Sequence, residues 1–311
     1  MKIIEIANFT SLNRAPLVIE GYLFEGSDPY APSVAIVGAM EGKNILPLYS
    51  ASKLVDFLKN KIHDKDKIRG NILVIPSINS YALNINERFW PLDKTNINTM
   101  FPGYELGETT QRIAKKVFDA IRGYTYGIIL ESREDLSNCI PYVKLFKSGF
   151  EDIEGAKTFG FRVVNHRELT PVDTVTLQYN WQLWETKAYS IVCPNKNQID
   201  IDNSNEIFEG IIQFLSKNKL IDYRVLNGFE SVIAAQEDIE IAKAPKSGIF
   251  ITMKKEGTYI SKGDVIGQIV HSLNGEIVHT FISTCNGMIV CCYKNGLILE
   301  GALAFRIIKS D

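Results

Sequence analysis

VAIVGAMEGKNILP, residues Val34–Pro47, is the stretch on which the fold turns. Val34, Ala35, Ile36 and Val37 form an unbroken apolar run, the pattern of a strand buried on both faces. Gly38 and Ala39 end it in a small-residue turn, and Met40-Glu41-Gly42-Lys43-Asn44 leads directly into helical spacing. Ala51, Leu54, Val55, Leu58 and Ile62 then follow an i, i+3, i+4, i+7 rhythm, one face of an amphipathic helix. Strand, tight turn and helix is how open α/β sheets build sites at the carboxyl ends of their strands. Glu41 and Asn44 stand at that end.

Outward from this unit, residues 2–7 and 17–24 read as strands, and the charged cluster His63–Lys67 closes the helix on the surface. Asn71–Ile75 is a second buried strand of parallel type, stopped by Pro76. Residues 77–103 show no clean periodicity. A loop of this length is as a rule functional or disordered, and Tyr81, Phe89, Trp90, Met100 and Phe101 speak against disorder. A helix is expected over 107–122, with Gly123 as its stop. Strand Tyr126–Leu130 then runs into the polar sequence Glu131-Ser132-Arg133-Glu134-Asp135. Two more strands are expected within 172–194, Tyr189–Cys193 the more buried. Asn203 and Glu206 have capping-box spacing at the head of a helix over 204–219. Beyond Tyr223 helical periodicity stops, and short alternating strands are divided by Asn-Gly and similar turns, the texture of a small antiparallel β domain. The expected organisation is therefore an α/β domain over 1–221, a mixed twisted sheet with helices on both faces, and a β-barrel-like or lipoyl-like β domain over 222–311.

The chain has 311 residues, 45% apolar and 23% charged, with a net charge of −2. That balance lacks the basic excess of nucleic-acid or acidic-membrane binders. No apolar run approaches the roughly 18 residues of a membrane span, and the N-terminus has no secretory h-region. Five cysteines, with Cys291 and Cys292 adjacent, do not look like a disulfide framework. The expectation is a reduced, cytoplasmic protein with neither nucleic acid nor membrane as partner.

Four stretches in order, Gly38–Asn44, Asn79–Ala82 with Arg88 and Asn96–Gly103, Leu130–Ser132, and Ser190–Pro194, resemble the motifs of the succinylglutamate desuccinylase/aspartoacylase family of the zinc-carboxypeptidase-like superfamily. Its members remove an acyl group from N-acyl amino acids or related amides, using one zinc held by His, Glu and His and a Glu as general acid/base. The first motif, Gly-Gly-x-His-Gly-Asn/Asp-Glu after a strand, falls on Gly38–Asn44. The resemblance places the first two zinc ligands at Glu41 and Asn44. The second motif is carried by Asn79-Ser80-Tyr81-Ala82, Arg88 and Asn96–Gly103. It implies that Arg88 polarises the scissile carbonyl and that Asn98 and Asn79 face the ligand, with Thr99 where a second Arg belongs. The third motif, Asp-Leu-His, falls on Leu130-Glu131-Ser132, which puts the last zinc ligand at Ser132. Pro141-Tyr142-Val143 keeps a downstream element and adds Tyr142 to the ligand-binding candidates. The strand bearing the general base falls on Ser190–Pro194, with Val192 at that position.

A catalytic zinc needs about three protein ligands drawn from imidazole, thiolate or carboxylate. Asn44 and Ser132 are not such groups, so no zinc and no other cofactor is expected. Glu131, Glu134 and Asp135 with Glu41 offer hard oxygen ligands suited to Mg or Mn, or equally a solvated loop face. Cys139 and Cys193 are candidate nucleophiles if a base activates them, and buried inert cysteines otherwise. Arg88 has two partners open to it, a substrate carboxylate or carbonyl through a bidentate contact, or Asp93 in its own loop. Trp181 and Trp184 suit packing or a pocket wall. Lys262–Ile269 resembles the turn of lipoyl carriers, which the family's own β domain also has. Three readings follow: a zinc-free pseudoenzyme that binds a small carboxylate or amide or a protein partner; an enzyme of rebuilt chemistry acting through Glu41, Glu131 or a cysteine; and an interaction subunit or homo-oligomer whose pocket is vestigial.

Overall fold

The computed structural model describes residues 1–10, 15–62, 67–132, 137–194 and 199–310. The chain divides into two compact units, residues 1–132 with 141–232, and residues 133–140 with 233–311. The first unit holds β1 (Lys2–Phe9), β2 (Leu17–Phe24), β3 (Val34–Val37), α1 (Ile45–Asn60), β4 (Ile72–Ile75), α2 (Ser80–Asn84), α3 (Thr109–Ile121) and β5 (Tyr126–Ser132). The short β6 (Ser137–Cys139) belongs to the second unit. The first unit resumes with β7 (Tyr142–Phe146), α4 (Ile153–Lys157), β8 (Val163–Arg167), α5 (Leu177–Leu183), β9 (Lys187–Cys193) and α6 (Ile201–Lys217).

A nine-stranded mixed sheet runs β1-β2-β4-β3-β5-β9-β7-β8 and ends on β10 (Val232–Ala234), where the chain passes into the second unit. Its centre, β4-β3-β5-β9, is parallel, and β3 and β4 are buried over their whole length. Full burial on both faces is why Val34–Val37 and Ile72–Ile75 are continuous apolar runs. One core cluster beneath the sheet is built on Val37, Ile75, Trp90, Phe101, Phe118, Ile129 and Trp181. Gly127 lies against this tryptophan; a Cβ there would sit 2.5 Å from the Trp181 ring.

The second unit contains β11 (Ile239–Lys243), β12 (Gly248–Thr252), β13 (Tyr259–Ile260), β14 (Val265–Val270), β15 (Ile277–Ile282), β16 (Gly287–Tyr293), β17 (Leu297–Ile298) and β18 (Leu303–Lys309). One sheet runs β11-β18-β16-β13, with β6 added to β16, and the other runs β15-β14-β12-β17. Phe250, Phe281 and Phe305 meet edge-on or tilted at 5.5–5.8 Å in its core. This is the antiparallel β domain that the Gly-divided strands predict.

Three expectations are corrected. The inter-unit boundary lies at 232 rather than 221, because residues 222–231 stay laced to the α/β unit. Gly228 N donates to Gln213 Oε1 at 2.6 Å, Phe229 N to the Gly160 carbonyl at 2.8 Å and Ser231 Oγ to the Phe161 carbonyl at 2.6 Å. Leu177–Leu183 is a helix where a strand is expected. Leu177 and Trp181, one turn apart, are buried, and Trp181 Nε1 reaches the Ile121 carbonyl at 3.3 Å, so packing outweighs the β-branched residues before it. Finally, Cys139 and Cys291, directly opposed on β6 and β16, form a disulfide. Their 152-residue separation hides this pairing from any reading of local spacing.

Candidate functional site

Parallel register sets where the candidate residues gather. Val37 lies level with Ile75 on one side and Ile129 on the other, and Ser132 lies level with Cys193. The turns after β3 and β4 and the ends of β5 and β9 therefore share one edge, where open α/β sheets place their sites. Ala39 turns the chain there with φ +26°. Gly42 lets the turn approach the next loop: a Cβ on it would sit 2.2 Å from the Glu87 carbonyl oxygen. Its N–H donates to the Arg88 carbonyl at 3.0 Å.

That close approach brings Glu41 and Arg88 together across 47 residues of sequence. Arg88 Nε donates to Glu41 Oε2 and Arg88 NH2 to Glu41 Oε1, both at 3.1 Å. The side chains retain 29% and 14% exposure, and the guanidinium lies over the Phe89 ring at 4.3 Å. Asp93, the partner offered by sequence proximity, instead accepts from Thr95 N at 2.9 Å. A second ion pair lies along the same edge, between Glu131 at the end of β5 and Lys144 on β7. Lys144 had no place in the sequence argument, although it directly follows the Pro141-Tyr142-Val143 element.

Asn44 stands at the head of α1 with 2% exposure, caps nothing with its side chain, and leaves Oδ1 without a hydrogen-bond partner among the described residues. Ser132 Oγ is likewise buried and unpartnered there. Val192 is buried in β9 between Glu131 and the half-buried Tyr142. Asn79 caps α2 by accepting from Ala82 N at 3.3 Å and reaches the Met40 carbonyl at 3.4 Å. Asn98 Oδ1 accepts from Leu177 N at 3.2 Å. Both asparagines thus spend hydrogen bonds on shaping the loops. Glu134 and Asp135 lie outside the described residues, as does His63.

The thiol candidates are corrected by their surroundings. Cys139 Sγ is bonded to Cys291. Cys193 is fully buried, and burial, aided by the Glu131 charge, pushes its thiol far above the ordinary range, the opposite of what a nucleophile needs. The described histidines are engaged elsewhere. His166 Nε2 pairs with Glu151 at 3.0 Å, His271 Nδ1 accepts from Leu273 N at 3.3 Å, and His279 packs edge-on against Phe281 at 4.6 Å.

These residues do not fit a zinc centre. Of the three positions that the resemblance assigns to ligands, two carry an amide and a hydroxyl. The third, Glu41, turns both carboxylate oxygens to a guanidinium. Zinc sites draw on imidazole, thiolate and carboxylate donors, and the described residues contain no group of three such side chains placed to hold a metal.

The mixed sheet with its parallel centre, its loop-built edge and the separate β unit define the class: an α/β domain followed by an antiparallel β domain. The succinylglutamate desuccinylase/aspartoacylase catalytic domain matches residues 30–130 of this chain, about a third of its length. The same fold occurs in a succinylglutamate desuccinylase/aspartoacylase family protein from Shewanella amazonensis, with TM-score 0.76, 14% identity, and coverage of 99% of this chain and 98% of that one. The product-bound ectoine utilization protein EutE from Ruegeria pomeroyi matches with TM-score 0.74, 15% identity and coverage of 97% and 93%. An aspartoacylase family protein from Mesorhizobium loti matches with TM-score 0.71, 17% identity and coverage of 96% and 92%. No curated protein matches by sequence. No described helix is long and apolar enough to cross a membrane.

Proposed function

We propose that the edge around Glu41 and Arg88 binds a small molecule bearing a carboxylate or amide, without a metal and without zinc-dependent hydrolysis. The observation that carries this reading is the Arg88–Glu41 fork. An arginine that polarises a scissile carbonyl must be open to it, whereas this guanidinium is already matched by two carboxylate oxygens at 3.1 Å. A ligand carboxylate offers the same fork geometry. Partly exposed ion pairs contribute at most about 1 kcal/mol, so exchanging the Glu41 carboxylate for a ligand's costs little. Glu131–Lys144 supplies a second exchangeable couple on the same edge.

The test uses N-acetyl-L-aspartate and protein purified without chelator. The expected result is saturable calorimetric binding, at least about tenfold weaker in Arg88→Ala, as for loss of a charge-assisted hydrogen bond. Acetate release is absent and zinc content is far below one per chain. Sustained acetate release with stoichiometric zinc that Glu41→Ala removes would overturn the proposal, as would binding that Arg88→Ala leaves unchanged.

A further inference from the structure

A cavity of ≈570 Å³ lies within the α/β unit, between α6 and residues 223–229, a size within the usual range of small-molecule sites. Its walls are aromatic. Phe57 meets Phe208 and Tyr223 edge-on at 5.3 and 5.1 Å on one side. Phe159 stacks on Phe161 at 6.1 Å on the other, and Phe229 closes the end beneath the Arg162 guanidinium at 4.1 Å. The covering segment is tied down at both ends, where the Tyr223 carbonyl accepts from Ser216 Oγ at 2.6 Å and Gly228 N donates to Gln213 at 2.6 Å. Residues 224–227 bridge the two ties, and Leu226 among them is exposed.

Two carboxylates, Glu206 and Glu209, line the cavity from α6, Arg224 lies exposed on the strap, and Arg162 stands over Phe229 at the end. Sequence spacing pairs Glu206 with Asn203 in a capping box, but the helix starts earlier. Asp200 caps α6 by accepting from Asp202 N and Asn203 N at 3.0 and 3.1 Å, which leaves Glu206 on the cavity wall. Its Oε1 is shut off from solvent with no donor among the described residues. Burial accordingly raises its carboxyl, reinforced by Glu209 and only partly offset by Arg162. A buried carboxylate oxygen without a donor is costly, and aromatic faces attract cations.

We propose that this cavity binds a small organic ammonium, an aromatic or alkyl amine, with its charged nitrogen on Glu206 and its apolar body between the phenyl rings. The site is separate from the Glu41–Arg88 edge and owes nothing to a metal.

Phenethylammonium is the probe, with phenylacetate as its charge-inverted control, titrated calorimetrically into the full chain. Phenethylammonium binds saturably. Phenylacetate binds at least about tenfold more weakly, and Glu206→Gln weakens the amine by about tenfold or more, the loss of one charge-assisted contact. Phe229→Ala, on the half-exposed strap, weakens it several-fold through lost ring contact, and Arg88→Ala leaves it unchanged. Absence of saturable amine binding overturns the proposal, as does equal or tighter binding of phenylacetate. Amine binding that survives both Glu206→Gln and Phe229→Ala, each with a wild-type-like circular dichroism spectrum, overturns it too.

Discussion

Two arginine–carboxylate forks sit on the α/β unit, and their surroundings give them different work. Arg167 grips Asp173 at 2.8 and 2.7 Å, six residues away, and lies over the Phe146 ring at 4.6 Å. Asp173 is buried and also accepts from Thr170 N and Oγ1 at 2.7 and 2.5 Å. Arg88 and Glu41 are joined at 3.1 Å twice and come from two different loops; the two guanidiniums are equally exposed at 29%, and Glu41 at 14% is a little more open than Asp173 at 9%. The first fork closes one loop on itself with every oxygen satisfied locally. The second sits on the sheet edge where this fold builds its sites, in a geometry that a ligand's carboxylate can copy. The same pair of functional groups is therefore a staple in one place and, under the proposed function, a receptor in the other.

The largest effect separates the two. Arg167→Ala should destabilise the protein by about 2 kcal/mol, the cost of taking a charged hydrogen-bond donor from the buried Asp173 carboxylate, read from urea unfolding. Arg88→Ala should cost less than about 1 kcal/mol, as for partly exposed pairs, while weakening ligand binding at least about tenfold. Equal losses would show that both forks are staples and would remove the basis of the binding proposal.

How legible these features are from sequence follows from the range of the contacts involved. Val34–Val37 and the helix after it are encoded in adjacent residues, so strand, turn and helix stand where the pattern puts them. The motif order likewise points to the fold and to the family whose catalytic domain matches residues 30–130. Glu41–Arg88 is not legible, because only the close passage of Gly42 beneath Glu87 brings together groups that sequence proximity pairs differently. Glu206 is misread for the converse reason. Its local spacing suits a cap, but Asp200 takes that role and the cavity wall is formed by residues drawn from both ends of the unit. Lys144 is found only through its pairing across β9 with Glu131.

An intermediate effect concerns pH. Burial works to raise the Asp173 carboxyl, but the hydrogen bonds from Arg167 and Thr170 outweigh it and hold it below the usual range. A depressed folded value means that its contribution is complete above the unfolded carboxyl's ~3.9 and is lost as pH falls through the folded value. The stability gap between wild type and Arg167→Ala should therefore be full at neutral pH and shrink below about pH 4, measured by urea unfolding at stepped pH. A gap that persists undiminished to pH 2 would mean that Arg167 acts through its stacking on Phe146 rather than through Asp173.

The smallest effect tests the Glu41–Arg88 fork from its acidic side. Glu41→Gln keeps the shape of the side chain and removes its charge, and its cost in stability should stay below about 1 kcal/mol. Its effect on binding should run opposite to that of Arg88→Ala. With no competing carboxylate, the guanidinium meets a ligand's carboxylate unopposed, so N-acetyl-L-aspartate should bind severalfold tighter, by roughly the energy of one partly exposed ion pair. Calorimetric titration of the two variants side by side reads this out. Weaker binding in both would mean that Glu41 itself touches the ligand, and the fork would then be one wall of the site rather than a plug that the ligand displaces.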